Sequence, residues 1–96
     1  MRHNILKPAI KSVAVEASER RLVGRKDALE VLKAAKENGG SIRFIEVQKM
    51  TNNPGRTANL LATMVRVGWF DHKDKEPYYM TDRGKTALSA AGALFG

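Results

Sequence analysis

The 96 residues suffice for one domain, which at this length buries roughly 60 to 65 per cent of its unfolded surface around a single core. Lysine and arginine number 17 against 10 acids, a formal net charge of +7, which makes a polyanion the natural partner without naming it. The chain has no cysteine, and its two histidines, His3 and His72, lie far apart without ligand spacing. Disulfides and thiolate zinc sites are excluded, and neither a metal nor a cofactor is expected. No apolar run approaches the roughly 18 residues that cross a bilayer, and MRHNILKPAIK lacks the apolar centre of a signal peptide. A cytoplasmic protein without a membrane partner is expected. Glu46, Asp71, Asp74, Asp82 and the histidines form no recognisable acid-base or nucleophile set, so no enzyme is expected either.

Over the first 25 residues two periodicities compete. Leu6, Ile10, Val13 and Ala17 fit a helix with Pro8 in its first turn, the reading favoured here, whereas Val13, Val15 and Ala17 alternate as in a strand. Arg20 to Lys26 reads as a basic connector, dividing the chain into an N-terminal helix and connector (1–25) and a main domain (26–96). A helix is predicted to start at Asp27, with Asp27 and Glu30 as a capping box, to bury Ala28, Leu32 and Ala35, and to stop at Asn38-Gly39-Gly40. Ser41 to Phe44 reads as a short extended piece. A second helix over about Ile45 to Thr51 places Phe44, Val47 and Met50 inward.

Asn52-Asn53-Pro54-Gly55 is a turn signal, since Asn tolerates left-handed angles and Pro54 presets the next helix. That third helix runs from about Pro54 to Val67 and ends at Gly68. Two aromatic segments, Trp69 to His72 and Tyr78 to Thr81, flank the polar tip Lys73 to Pro77 as in a two-stranded hairpin. Thr81 caps a last helix with Ala87, Leu88, Ala91, Leu94 and Phe95 at helical spacing, which Gly84 and Gly92 weaken locally.

The order helix, short strand, helix, turn, helix, hairpin, helix is that of a winged helix-turn-helix: mainly α with a small β-hairpin, with extra helices at both ends. ALEVLKAAKENGG, FIEVQKMTNNPGRTANLLATMVRVGWF and YYMTDRGKTAL, from Ala28 to about Ala90, resemble the DNA-binding domains of the IclR and MarR transcriptional regulators. The Leu61, Met64, Gly68 spacing into Trp69-Phe70 and the Tyr79, Thr81, Gly84 run carry that resemblance furthest. Gln48 stands where these regulators often have a small residue, and Arg56 where many have a hydroxyl. The resemblance therefore implies a reading face and a duplex DNA partner rather than a particular recognition code.

At about 100° per residue, Thr57, Leu60, Leu61, Met64 and Val65 share one side of the third helix. Gly55, Arg56, Asn59, Ala62, Thr63 and Arg66 share the other, which is small, polar or cationic, as a helix lying in a major groove requires. Lys49, Arg56 and Arg66 fall between Val47 and Phe70, where there is no acid. Arg56, Asn59, Thr63 and Arg66 are thus the candidate reading residues, with Lys49 beside them. Lys73 and Lys75 on the tip are candidate phosphate contacts, although Asp74 and Glu76 fit a solvated turn equally well. Arg20, Arg21 and Arg25 fit either a basic arm on a neighbouring phosphate or a solubilising linker. The hairpin aromatics read as core rather than as a stacking surface for RNA. Surplus apolar positions at both chain ends suggest a homodimer. A protein-interaction adaptor on the same scaffold is the alternative to a sequence-specific DNA-binding regulator.

Overall fold

The computed structural model describes residues 16–95. Helix α1 covers residues 16–23, so the helical reading holds where Ala17 can test it; Leu6, Ile10, Val13 and Val15 lie outside the described residues. The expected connector is corrected. Arg20 to Val23 belong to α1 and only Gly24 and Arg25 interrupt the path before α2 (Lys26–Glu37), because Leu22, 2% exposed, anchors α1 in the core while Arg20 and Arg21 face water.

The capping box expected at Asp27 and Glu30 is also corrected. Arg25 is the N-cap and its side chain makes no capping bond to the helix backbone, while Asp27 sits inside the first turn, where its Oδ1 accepts from the Ala28 N–H at 2.8 Å. The Asp27 carboxylate is drawn there by two arginine partners described below. Ala28, Val31, Leu32 and Ala35 form the buried face of α2. Gly39 and Gly40, at φ 86° and 104°, turn the chain through a left-handed region that a side chain would strain.

Strand β1 is only Ser41–Ile42, shorter than the extended piece expected, because Phe44 already opens α3 (Phe44–Thr51), where the Glu46 carboxylate accepts from the Arg43 N–H at 3.0 Å. Val47 is the buried residue of α3, whereas Phe44 and Met50, expected inward, are 36% and 43% exposed. Three residues span about 300°, so each lies about 60° to one side of Val47, at the margins of the stripe that meets α4. Asn52, at φ 55°, closes α3, and the Asn53 side chain then caps α4 (Pro54–Arg66) by accepting from the Arg56 N–H at 3.0 Å. Thr57, fully buried, donates its hydroxyl to the Asn53 carbonyl at 2.9 Å and lies 2.6 Å from the Thr51 hydroxyl, which ties the turn to both helices.

Gly68, at φ 85°, ends α4 while the Trp69 N–H bonds back to the Met64 carbonyl at 2.9 Å. Strand β2 (Phe70–His72) pairs antiparallel with β3 (Tyr78–Met80), Phe70 opposite Met80; β1 lies on the other edge of β3, with Ser41 opposite Tyr79. The aromatics divide between core and surface. Trp69 and Phe70 are buried as expected, Tyr78 is half-buried and Tyr79 exposed. Thr81 caps α5 (Asp82–Phe95) by accepting from the Gly84 N–H at 3.0 Å. Ala87 and Ala91 are buried and Leu88 half-buried on the core side; the side chains of Leu94 and Phe95 lie outside those described. A helix-turn-helix of α3 and α4, flanked by a small antiparallel sheet and by helices before and after, is a winged helix.

Candidate nucleic-acid interface

The two faces of α4 part as its periodicity predicts. Thr57, Leu60, Leu61 and Met64 are buried, while Arg56, Asn59, Ala62 and Arg66 are exposed and Thr63 half-buried. The outer face carries no carboxylate of its own. Thr63 spends its hydroxyl proton on the Asn59 carbonyl at 2.8 Å, which leaves it an acceptor and the Asn59 amide the principal hydrogen-bonding group at mid-helix.

Arg56 is not free in the way the α4 pattern suggests. Its Nη2 lies 3.1 Å from Asp27 Oδ2, and the same carboxylate takes a two-pronged contact from Arg25, Nη2 to Oδ2 at 2.8 Å and Nε to Oδ1 at 3.1 Å. Burial raises the Asp27 carboxyl, but hydrogen bonds from Arg25 and Arg56 outweigh it and hold the group below the usual carboxylate range. The sequence reading missed this partner of Arg56: an acid at the start of one helix gives no local sign of an arginine 29 residues later. With 58% of its side chain exposed, Arg56 remains within reach of a ligand once it leaves Asp27.

A second meeting concerns α1. Ser18, Arg21, Leu22 and Arg25 recur at helical spacing and, with Thr63 and Arg66 of α4, line one shallow hollow. Arg21 and Arg25, expected in a basic arm, therefore stand beside the end of α4. What sets α1 in place is Glu19, another residue the sequence reading missed. Glu19 Oε2 accepts from the Trp69 indole N–H at 2.5 Å, and its two oxygens accept from Arg83 at 3.0 and 3.1 Å. The Arg83 hydrogen bond is the main influence on Glu19 and, with Trp69, it outweighs burial and lowers the carboxyl.

Arg20, Lys49, Lys73 and Lys75 are all exposed. Lys73 lines a separate hollow with Asp71, His72, Glu76 and Tyr79, where acids balance it. Lys75 holds φ 66° at the tip, and His72 stacks flat on Tyr78 with ring centres 3.8 Å apart. Among the described residues no group of three or more His, Cys, Asp or Glu side chains could hold a metal ion, and no helix is long and apolar enough to cross a membrane.

Glu19 and Asp27 give a pH signature. Both carboxyls sit lower in the folded chain than in the unfolded one, so each contributes stability that is complete above the unfolded value, near 4, and vanishes as pH falls through the folded value. The melting temperature should therefore fall below about pH 4.5, and Glu19→Gln should shallow that fall. An acid limb in Glu19→Gln as steep as the parent's would remove Glu19 from it.

No family model matches the chain, and neither does any curated protein. Among solved structures, the fold is similar to that of a protein from Pseudomonas aeruginosa described as a candidate transcriptional regulator, with a TM-score of 0.60 and 20% identity over 97% of this chain and 73% of that one. At this identity the likeness speaks for the fold.

Proposed function

We propose that the domain is a sequence-specific double-stranded DNA-binding protein, a transcriptional regulator whose α4 lies in the major groove. The observation that carries this is the outer face of α4: Arg56, Asn59, Ala62 and Arg66 exposed, opposite a fully buried Thr57, Leu60, Leu61 and Met64, with no acid on the helix. Asn59 offers an amide suited to adenine, and Arg56 exchanges its Asp27 contact for guanine or phosphate. Lys49 from α3, Lys73 and Lys75 from the wing and Arg20 from α1 supply phosphate contacts that position the duplex. A homodimer joined through the chain ends is part of this reading, with the half-buried Leu88 of α5 as a candidate contact.

The test is a salt titration of duplex binding. If about six phosphates are neutralised, affinity should fall on the order of a thousandfold between about 50 and 200 mM salt. Asn59→Ala should cost about 1 to 3 kcal/mol and relax preference at one position, whereas Lys49→Ala should weaken all sequences alike and lower the salt slope by about one unit. Genomic fragments selected by the parent should share a two-fold-symmetric motif. Absence of duplex binding at about 50 mM salt would overturn the proposal.

A further inference from the structure

The hollow between α1 and α4 gathers Arg21, Arg25 and Arg66 with the Ser18 hydroxyl, and no carboxylate lines it. Arg25 is engaged by Asp27, but Arg21 and Arg66 take part in no ion pair among the described residues, and both are exposed. Like charges held together repel, and the cost disappears when an anion seats among them. Planar guanidinium groups that offer paired N–H donors match the oxygens of a phosphate, as they do those of a carboxylate. Thr63 adds no donor, since its proton is committed to Asn59. Arg66 stands seven residues beyond Asn59, about 10 Å further along the helix axis. The major groove is about 12 Å wide, so a duplex with Asn59 at its base edges brings its rim to Arg66.

We propose that Ser18, Arg21 and Arg66, with Arg25 beside them, form a phosphate-binding corner that seats a backbone phosphate at the rim of the groove occupied by α4. The phosphate's origin in a duplex rests on the DNA-binding reading above; the affinity of the corner for phosphate oxygens does not. Both Arg21 and Arg66 also fall in the last turn of their helices, where a cation complements the negative end of the helix. That role alone would change the melting temperature on substitution and leave anion binding unmoved.

The experiment follows the arginine Nε–H signals of the full chain by NMR during separate titrations with inorganic phosphate and with a duplex, alongside duplex binding by the double variant Arg21→Ala, Arg66→Ala at several salt concentrations. The signals of Arg21 and Arg66 should shift with either titrant. The double variant should bind the duplex about a hundredfold more weakly, with a salt slope lower by about two units and no change in base preference. A parent that binds duplex without moving these signals, together with a double variant of parental slope, overturns the corner and leaves the DNA reading standing. A parent that binds no duplex but saturates with phosphate at both arginines overturns the DNA reading and keeps the corner as a site for free phosphate. Binding of neither titrant overturns both. If the double variant does not fold, the parent's signals decide.

Discussion

Replacing Gly84 with alanine should destabilise the domain by about 3 kcal/mol or more, against the local preference of the helix. Gly84 lies in the first turn of α5, where alanine would ordinarily gain up to about 1 kcal/mol over glycine. Here a Cβ would fall on the Trp69 carbonyl oxygen and 3.1 Å from Met80 Cγ. That carbonyl cannot retreat easily, because it accepts from the Thr81 N–H at 3.0 Å and Trp69 itself is fully buried. Steric conflict with backbone therefore outweighs propensity. Gly92, eight residues on in the same helix, has nothing within 4 Å of its would-be Cβ, so Gly92→Ala should gain about 0.5 to 1 kcal/mol. Thermal melts of the two variants give the check. A Gly84→Ala protein as stable as the parent would show that α5 does not approach the Trp69 backbone this closely.

Leu61→Ala should cost about 2 to 5 kcal/mol, since Leu61 is fully buried beneath the outer face of α4 and its loss leaves a cavity among Val47, Met64 and their neighbours in the core. For a domain of this size each kcal/mol corresponds to about 4 to 8 °C in Tm, so the loss is large. Asn59→Ala, two residues away on the exposed side, should stay within about 0.5 kcal/mol of the parent. The contrast between the two melts tests the helical phase directly. Comparable losses in both would mean that Asn59 packs inward and that the face assigned to DNA lies elsewhere.

Local chemistry was enough for the elements whose signals lie within a few residues. Asn52 in the left-handed region, Asn53 as cap and Pro54 at the start of α4 need only each other, and the 3.6-residue period divides α4 into Leu61 and Met64 on one side and Asn59 and Arg66 on the other. The same holds for Gly68 closing α4 and for the hairpin around Lys73 to Pro77. Short elements were less legible. In α3, eight residues give little more than two turns, and the neighbours on either side decide which apolar residues are covered, so Phe44 and Met50 stay exposed despite their spacing. The basic run Arg20 to Lys26 hid the end of a helix because its apolar residues, Leu22 and Val23, are adjacent, and periodicity needs spaced repetition to be seen.

Apart from the Arg25–Asp27 pair, two residues apart, charge pairing belonged to the tertiary structure. Arg56 meets Asp27 from 29 residues away, Glu19 reaches Trp69 across 50 and Arg83 across 64, and Arg21 comes to lie beside Arg66 only because α1 packs against α4. A side chain's backbone bonds and helical phase depend on its sequence neighbours, whereas a long-range ion pair depends on how whole elements are placed. The exposed residues of α4 could therefore be named from the chain alone. Which of them is held by an acid, and which shares a hollow with Arg21 and Arg25, follows from the packing of α1 and α2 against α4.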